Sequence, residues 1–193
     1  KIKYTLKDFE QAAHHFSEYL NFAPNDSAVE KLLANTYIIL GQSGQAQHTL
    51  QNVLRINPND TAALTLLSQL EFSSGNIDAG ISALKNAIKT SPDNARLHKQ
   101  LAKAYANTGQ TELAKSEIAL YQKFSNDTEG VQKLTINVYL QTGQTGKALE
   151  IANQMLVKDP VNPNTLALIG SLYAKSSNNQ RARIYFNKTL KIH

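Results

Sequence analysis

The sequence predicts an all-α fold, a solenoid of stacked antiparallel helix pairs that winds into a right-handed superhelix. Three ladders of residues with one period of 34 predict it. The inter-repeat turns carry proline at Pro24, Pro58, Pro92 and Pro160, with Asn126 at the intervening step. Residues suited to ending a helix follow the same step at Gly41, Gly75, Gly109, Gly143 and Ser177. Small residues repeat at Ala12, Ala46, Gly80, Ala114, Ala148 and Ala182. Three independent ladders with a single period indicate a repeat array rather than chance.

The stretch from Arg96 to Phe124 shows what one repeat contains. Apolar residues first recur at spacings of three and four, which is typical of an amphipathic helix. The Thr108-Gly109 pair interrupts this pattern, since glycine tolerates the left-handed conformation that ends a helix. A second helical pattern follows, with Leu113, Ala114, Ile118 and Tyr121 on one face. The stretch is therefore predicted to be a helical hairpin whose apolar face needs neighbouring hairpins to cover it.

This hairpin resembles the tetratricopeptide repeat. The residues that carry the resemblance are Leu101, Ala102, Tyr105, Gly109 and Ala114, together with the period of 34. The aromatic of the first helix recurs at Tyr37, Tyr105, Tyr139 and Tyr173, with Glu71 at the remaining step. The tryptophan often found early in that repeat is missing throughout the chain.

In order along the chain, we expect one array over 1–193 with about 11 helices. A half repeat covers 1–26, with the tail of a truncated helix in 1–7 and a second helix over 8–22. The full repeats are 27–60, 61–94, 95–128, 129–162 and 163–193. Helices are expected near 27–41, 45–56, 163–176 and 180–192. Asp26 is expected to cap the helix that follows it, and the chain is interpreted as a fragment of a longer protein.

The third repeat departs from the pattern at two positions. Glu71 stands where tyrosine is expected, and we expect it to swing outward or to meet a lysine of the fourth repeat. Gly80 stands where alanine is expected, which costs roughly 1 kcal/mol of helix propensity. This repeat is therefore predicted to be the softest, and Gly80→Ala is predicted to stabilise it if a methyl group fits.

Composition excludes several kinds of chemistry. The chain has no cysteine, which excludes disulfides and thiolate sites, and its formal net charge is +5. His14 and His15 are adjacent and are expected to point to different faces, while His48 and His98 are interpreted as isolated. Because nothing arranges a nucleophile, a base and an orienting group, we predict no enzyme activity, no catalytic or metal-binding residues and no cofactor.

The resemblance implies that positions two, five, nine and twelve of each repeat line a concave groove. The residues predicted to bind a partner there are Lys31, Asn35, Ile38, Gln69, Phe72, Arg96, Lys99, Lys103, Lys133, Asn137 and Leu140. Cations, amides and apolar anchors in one groove predict a protein or peptide partner with acidic character. The alternative is a solvated basic face that keeps the array soluble. Nucleic acid is disfavoured because there is no aromatic stacking platform.

Two further expectations concern partners. No apolar run reaches the length that spans a bilayer, so no direct membrane span is predicted. The outermost helices are expected to leave Phe9, Phe16 and Tyr185 partly uncovered, which favours self-association through the ends of the array.

A second functional alternative is a cytosolic chaperone-type adaptor that clamps an acidic C-terminal peptide. The positions that form such a clamp hold Lys31, Asn35, Leu66, Arg96 and Gln100. Leu66 and Gln100 break the pattern that binds two carboxylates.

Three segments, 11–54, 138–156 and 158–192, resemble the long repeat lipoproteins of bacterial PEP-CTERM/exosortase systems, and the Pro160 and Pro163 pair contributes most. The resemblance implies a scaffold in exopolysaccharide production or protein sorting. It also implies a periplasmic location and a lipidated N-terminal cysteine outside this sequence; the alternative location is cytoplasmic.

Overall fold

A computed structural model describes residues 6–192, with side chains described over 8–192. Within that range the chain forms eleven α-helices and no strand, so the all-α prediction is confirmed. The helices are α1 (Leu6–Phe22), α2 (Ser27–Ile39), α3 (Ser43–Ile56), α4 (Thr61–Ser73), α5 (Ile77–Thr90), α6 (Ala95–Asn107), α7 (Thr111–Phe124), α8 (Thr128–Gln141), α9 (Thr145–Lys158), α10 (Pro163–Lys175) and α11 (Asn179–Leu190). None of them is long and apolar enough to cross a membrane.

The chain divides into two compact units, residues 1–97 and 98–193, here called unit 1 and unit 2. In unit 1, helices α1 to α5 pack each on the next, and α2 also packs on α4. In unit 2, the same succession of contacts runs from α7 to α11. The single continuous array over 1–193 stays a prediction, because each unit is described by itself.

Each hairpin turn contains a residue in the left-handed region of backbone space. The φ angles are 71° at Gly41, 80° at Gly75, 73° at Gly109 and 72° at Gly143. Ser177, at the fifth step of the ladder, has φ 60° although it carries a side chain. The glycine ladder therefore marks helix ends as predicted, since this conformation closes a helix at its C-terminus.

Side-chain caps begin several of the helices. Asp26 accepts hydrogen bonds from the amides of Ala28 and Val29, so its predicted capping role is confirmed. Asp60, Asp127, Asn162 and Asn178 likewise accept a backbone N–H of the helix that they precede. Such caps satisfy amides that have no partner within the helix.

Each unit has its own core between the hairpins. In unit 1 the buried cluster is Ala34, Ala46, Leu50, Val53, Ala63 and Leu70. In unit 2 it is Ile136, Ala148, Ala152, Met155, Ile169 and Leu172, with the ladder tyrosines Tyr139 and Tyr173 packed against it. Two small residues of the third ladder, Ala46 and Ala148, lie inside these clusters, where a larger side chain would push the helices apart.

The first helix begins earlier than expected. Leu6 and Lys7 belong to α1, so the predicted break between a truncated helix over 1–7 and a helix from residue 8 is wrong at those two residues. The rest of the predicted truncated helix, residues 1–5, lies outside the described residues.

The third repeat corrects two predictions. A Cβ on Gly80 would lie 2.5 Å from Cε1 of the Phe72 ring, so the missing side chain is what lets the ring pack on α5. The premise that a methyl group fits there is wrong unless Phe72 moves. Of the two alternatives for Glu71, the lysine contact is the one that is wrong: no ion pair of Glu71 with a lysine is present among the described residues, and its Oε2 accepts a hydrogen bond of 2.9 Å from Asn76 at an exposed site in the following turn.

Candidate functional site

The predicted groove residues fall into two concave surfaces, one within each unit. The concavity of unit 1 has a volume of about 660 Å³ and is lined by Lys31, Leu32, Asn35, Thr61, Ala62, Thr65, Leu66, Gln69, Ser91, Asn94, Arg96 and Leu97. The concavity of unit 2 has a volume of about 700 Å³ and is lined by Lys99, Lys103, Asn107, Gly130, Lys133, Leu134, Ile136, Asn137, Leu140, Asn164 and Leu168. No Asp or Glu lines either surface. Of the eleven predicted groove residues, all but Ile38 and Phe72 lie on one of them.

In unit 1, the groove lysine binds the residue that caps the first helix of the next repeat. Nζ of Lys31 lies 2.6 Å from Oδ2 of Asp60, and the two side chains are only 24% and 13% exposed. Burial alone would raise the pKa of Asp60, but the hydrogen bonds from Lys31 and the Ala63 amide outweigh it and lower that pKa. Lys31 thus joins α2 to the N-terminal cap of α4.

Unit 2 has the same lysine–aspartate pair, and a tyrosine contacts both of its members. Nζ of Lys99 lies 2.9 Å from Oδ2 of Asp127, the cap of α8, and 5.1 Å from the centre of the Tyr121 ring. The Tyr121 hydroxyl donates to the same carboxylate oxygen, and the Gly130 amide donates to Oδ1 at 2.8 Å. These contacts hold the pKa of Asp127 far below its usual range. The hydrogen bond from Tyr121 contributes most to the lowering, and the hydrogen bond from Lys99 contributes next. The hydrogen bonds that the Lys99 ammonium donates to Tyr121 and Asp127 raise the pKa of Lys99.

One rule accounts for both pairs. A lysine at the fifth position of a repeat binds the aspartate that caps the first helix of the next repeat. Lys133 occupies the same fifth position, but the following cap is Asn162 and offers no carboxylate. Lys133 instead lies 2.5 Å from Glu129 of its own helix, and both side chains are more than half exposed. The sequence contained a signal for these pairs. Asp60 and Asp127 each stand just before the first helix of a repeat, as Asp26 does, and Asp26 was expected to be a cap.

The cations that remain available are therefore fewer than the sequence predicted. Lys103 is exposed on the wall of the unit 2 concavity, and in the described part of the chain it has no ion pair. Arg96 lines the concavity of unit 1, where it is likewise exposed and has no ion pair among the described residues. Lys103, with the loosely held Lys133 nearby on the same surface, provides the positive charge that an acidic ligand would meet.

Of the three predicted apolar anchors, one lines a concavity and two pack elsewhere. Leu140 lines the unit 2 concavity beside Leu134, Ile136 and Leu168, as predicted. Ile38 packs against the core of unit 1 instead, and Phe72 packs over Gly80. The prediction that these two side chains offer anchors to a ligand is therefore not supported.

The histidines need two corrections. His98 is not isolated: it is buried, its Nδ1 lies 2.7 Å from Oε2 of Glu117, and its ring stacks on Phe124 at 5.7 Å. His14 and His15, expected on different faces, both lie 3.4 Å from the carboxylate of Glu18. The His98–Glu117 contact joins α6 to α7 in the core of the hairpin, which is a structural position.

Comparison with known proteins places these features in a family context. The sequence model of the tetratricopeptide repeat matches residues 4–70 and 71–135. The comparison with curated protein sequences gave no match.

Several solved structures share the fold. A tetratricopeptide repeat protein from Parabacteroides merdae superposes with a TM-score of 0.85 at 13% identity, over 96% of this chain and 73% of that one. PilF of Pseudomonas aeruginosa gives 0.68 at 19% identity, over 86% and 76%. YrrB, a TPR protein with an unusual peptide-binding site, gives 0.67 at 15% identity, over 94% and 93%. At these identities the likeness shows the fold alone.

Proposed function

Because this chain belongs to the tetratricopeptide repeat family, whose fold serves protein–protein interaction and is generally non-catalytic, we propose that it is a non-enzymatic adaptor that binds an acidic, extended segment of a partner protein in the concavity of unit 2. The observation that carries this proposal is the lining of that surface. It combines lysines and amides with an apolar floor and includes no carboxylate.

Each part of the lining matches one feature of such a ligand. The amides of Asn107, Asn137 and Asn164 can both donate to and accept from a peptide backbone. The ammonium groups of Lys103 and Lys133 suit acidic side chains or a free C-terminus. Leu140 and Leu168 are half-buried and leave part of their surface for one large apolar side chain of the ligand.

The concavity of unit 1 supports this role less well. Its fifth-position lysine is held by the largely buried Asp60, which leaves Arg96 as its available cation. Its other polar lining consists of uncharged hydroxyls and amides such as Thr65 and Gln69. The chaperone-type clamp is disfavoured at this surface, because its required amide is replaced by Leu66, which packs against the core.

The test uses fluorescence anisotropy with labelled peptides that carry Asp or Glu around one Leu or Phe, and the same peptides with Lys in place of the acids. The wild-type chain should bind the acidic set more tightly. Lys103→Glu with Lys133→Glu should weaken that binding about tenfold or more, since two partly exposed pairs of roughly 0.2–1 kcal/mol are each turned into a repulsion. The loss should shrink at high salt.

The matched control reverses two exposed lysines of α5 outside both concavities, Lys85→Glu with Lys89→Glu. This control should leave peptide affinity unchanged. Equal binding of acidic and basic peptides, or a loss confined to the α5 control, would show that the lysines form only a solvated face.

For the cellular setting we propose a bacterial exopolysaccharide or PEP-CTERM protein-sorting apparatus. The chain would be on the periplasmic side of the membrane and held by a lipidated cysteine upstream of Lys1. The resemblance of the segments 11–54, 138–156 and 158–192 supports this setting. Fractionation of cells that express the full gene tests it: recovery in the cytoplasm without a lipid-modified cysteine would contradict it.

A further inference from the structure

The charge of the chain is concentrated near its C-terminal end. From Pro160 to His193 there are five cationic residues and no Asp or Glu, which equals the formal net charge of the whole chain, +5. These residues are Lys175, Arg181, Arg183, Lys188 and Lys191, and all five are exposed. The rest of the chain is therefore formally neutral.

Large apolar side chains are exposed among these cations. Ile184 is 48% exposed, Leu190 is 74% exposed and Ile192 is 41% exposed, and the flank of Phe186 that does not cover Gly170 is open. Arg181 lies over the Tyr173 ring and Lys188 over the Tyr185 ring, whereas Arg183 and Lys191 have no side-chain partner in the described part of the chain. The surface of α11 thus joins positive charge to accessible apolar area, a combination that marks an interaction site.

The first helix has the opposite character. Every described charged side chain of α1 is acidic, and from Asp8 to Glu30 the sequence has no Lys or Arg. Glu10 and Glu18 are exposed on α1, and the apolar side chains of Tyr19 and Phe22 are 47% and 90% exposed at its end. Lys1, Lys3 and Lys7 precede this segment and lie outside the described side chains.

We propose that the surface of α11 in one copy of this chain binds the surface of α1 in a second copy. Opposite charges bring the two surfaces together and set their orientation, while Ile184, Leu190 and Phe22 supply the apolar area that is removed from water. The two surfaces differ, so the contact is head-to-tail. Each copy keeps one of each surface, and association continues until a ring closes or the chain of copies stays open.

The experiment is sedimentation velocity at rising protein concentration, in low and high salt. The wild-type chain should gain mass with concentration, and high salt should reduce the gain. Arg183→Glu with Lys191→Glu should weaken association at least tenfold, and so should Glu10→Lys with Glu18→Lys. The Lys85→Glu and Lys89→Glu variant should associate like the wild type, and circular dichroism shows whether each variant keeps its helices.

Mixing the two end variants gives the decisive result. In each variant alone, the substituted positions face residues of the same charge on the other surface. In a mixture, the substituted positions of the two variants carry opposite charges, so association should return. A wild-type chain that stays monomeric at all concentrations would overturn the proposal, and so would a mixture that does not associate. Vesicles containing phosphatidylserine test the other occupant: wild-type binding that the α11 variant loses, without self-association, would assign this surface to an anionic membrane instead.

Discussion

Units 1 and 2 build the same inter-repeat ion pair in different surroundings. In unit 1 the Lys31–Asp60 pair is mostly buried, and among the described residues its partners are the two members themselves and the amides that Asp60 caps. In unit 2 the Lys99–Asp127 pair is more exposed, but Tyr121 contacts both members. The difference shows that the residue type at a groove position does not tell whether a charge is available. The cap of the next repeat decides that.

The two units also differ in how a phenylalanine ring covers a helical glycine. In unit 1 the Phe72 ring of α4 covers Gly80 of α5, and in unit 2 the Phe186 ring of α11 covers Gly170 of α10. The rings and glycines have exchanged helices, but the close approach is the same: an added Cβ would lie 2.5 Å and 2.7 Å from the respective ring. Phe186 is 39% exposed and has solvent to move into, whereas Phe72 is half-buried.

The largest effect should come from adding a methyl group at these glycines. Overpacking costs typically about 1–3 kcal/mol, against which alanine regains at most roughly 1 kcal/mol of helix propensity. Gly80→Ala should therefore destabilise by about 1–2 kcal/mol, and Gly170→Ala by less. Urea unfolding followed by far-UV circular dichroism measures both. A clear gain of stability for Gly80→Ala would mean that Phe72 moves without cost.

The next effect should separate the two ion pairs. Asp60→Asn keeps a good capping residue but leaves Lys31 with no carboxylate, and should cost about 1–2 kcal/mol because the site is largely buried. Asp127→Asn should cost less than about 1 kcal/mol, because the pair is more exposed and Lys99 keeps the Tyr121 ring. Equal losses in urea unfolding would show that burial does not distinguish the pairs.

The same variants should differ from the wild type in acid. Both aspartates have lowered pKa values in the folded chain, so their contribution to stability is fully present above the ordinary aspartate pKa and is lost as pH falls through the lowered one. The asparagine variants should therefore lose their deficit relative to wild type as the pH is lowered below about 4. A deficit that is the same at pH 7 and at pH 2 would contradict the electrostatic origin.

A further effect, similar in size to that of Asp127→Asn, should come from Glu30 of unit 1, which is the one carboxylate that is buried among the described residues. Glu30 is 6% exposed and its Oε2 has no hydrogen-bond partner in the described structure, and burial raises its pKa in spite of the Arg55 charge. The equivalent positions of the other repeats hold Leu64, His98, Gln132 and Leu166, none of which is a carboxylate. Glu30→Leu should stabilise unit 1 by about 1 kcal/mol at pH 7.

Because the raised pKa favours the neutral acid in the folded chain, the cost of Glu30 is present at neutral pH and fades as the pH falls below that pKa. The gain from Glu30→Leu should fade with it, which is the opposite trend to Asp60→Asn. Paired urea titrations at pH 7 and pH 4 measure it. If Glu30→Leu were less stable than wild type at both pH values, an attraction between Glu30 and a partner such as Arg55 would outweigh the cost of burying the carboxylate.

Much of this protein could be read from the sequence by itself. The period of 34 placed the helix ends at Gly41, Gly75, Gly109, Gly143 and Ser177, because the left-handed residue that closes a helix is a local requirement. The resemblance to the tetratricopeptide repeat implied that Lys103, Asn137 and Leu140 line a concave surface, and in the structure all three line the concavity of unit 2.

Only the tertiary structure decided which of those residues are available. Lys31 and Lys99 have the same fifth position in their repeats as Lys133, but Asp60 and Asp127, which cap the first helix of the following repeat about thirty residues along the sequence, bind them. The sequence predicted that Phe72 is a ligand anchor and that Gly80 weakens its helix, whereas in the structure the Phe72 ring packs on Gly80. It also predicted an isolated His98, whereas Glu117 of α7 contacts that side chain. The physical reason is the same in each case: helix position follows from local backbone geometry, whereas a side chain's partner is set by whichever neighbouring helix packs against it.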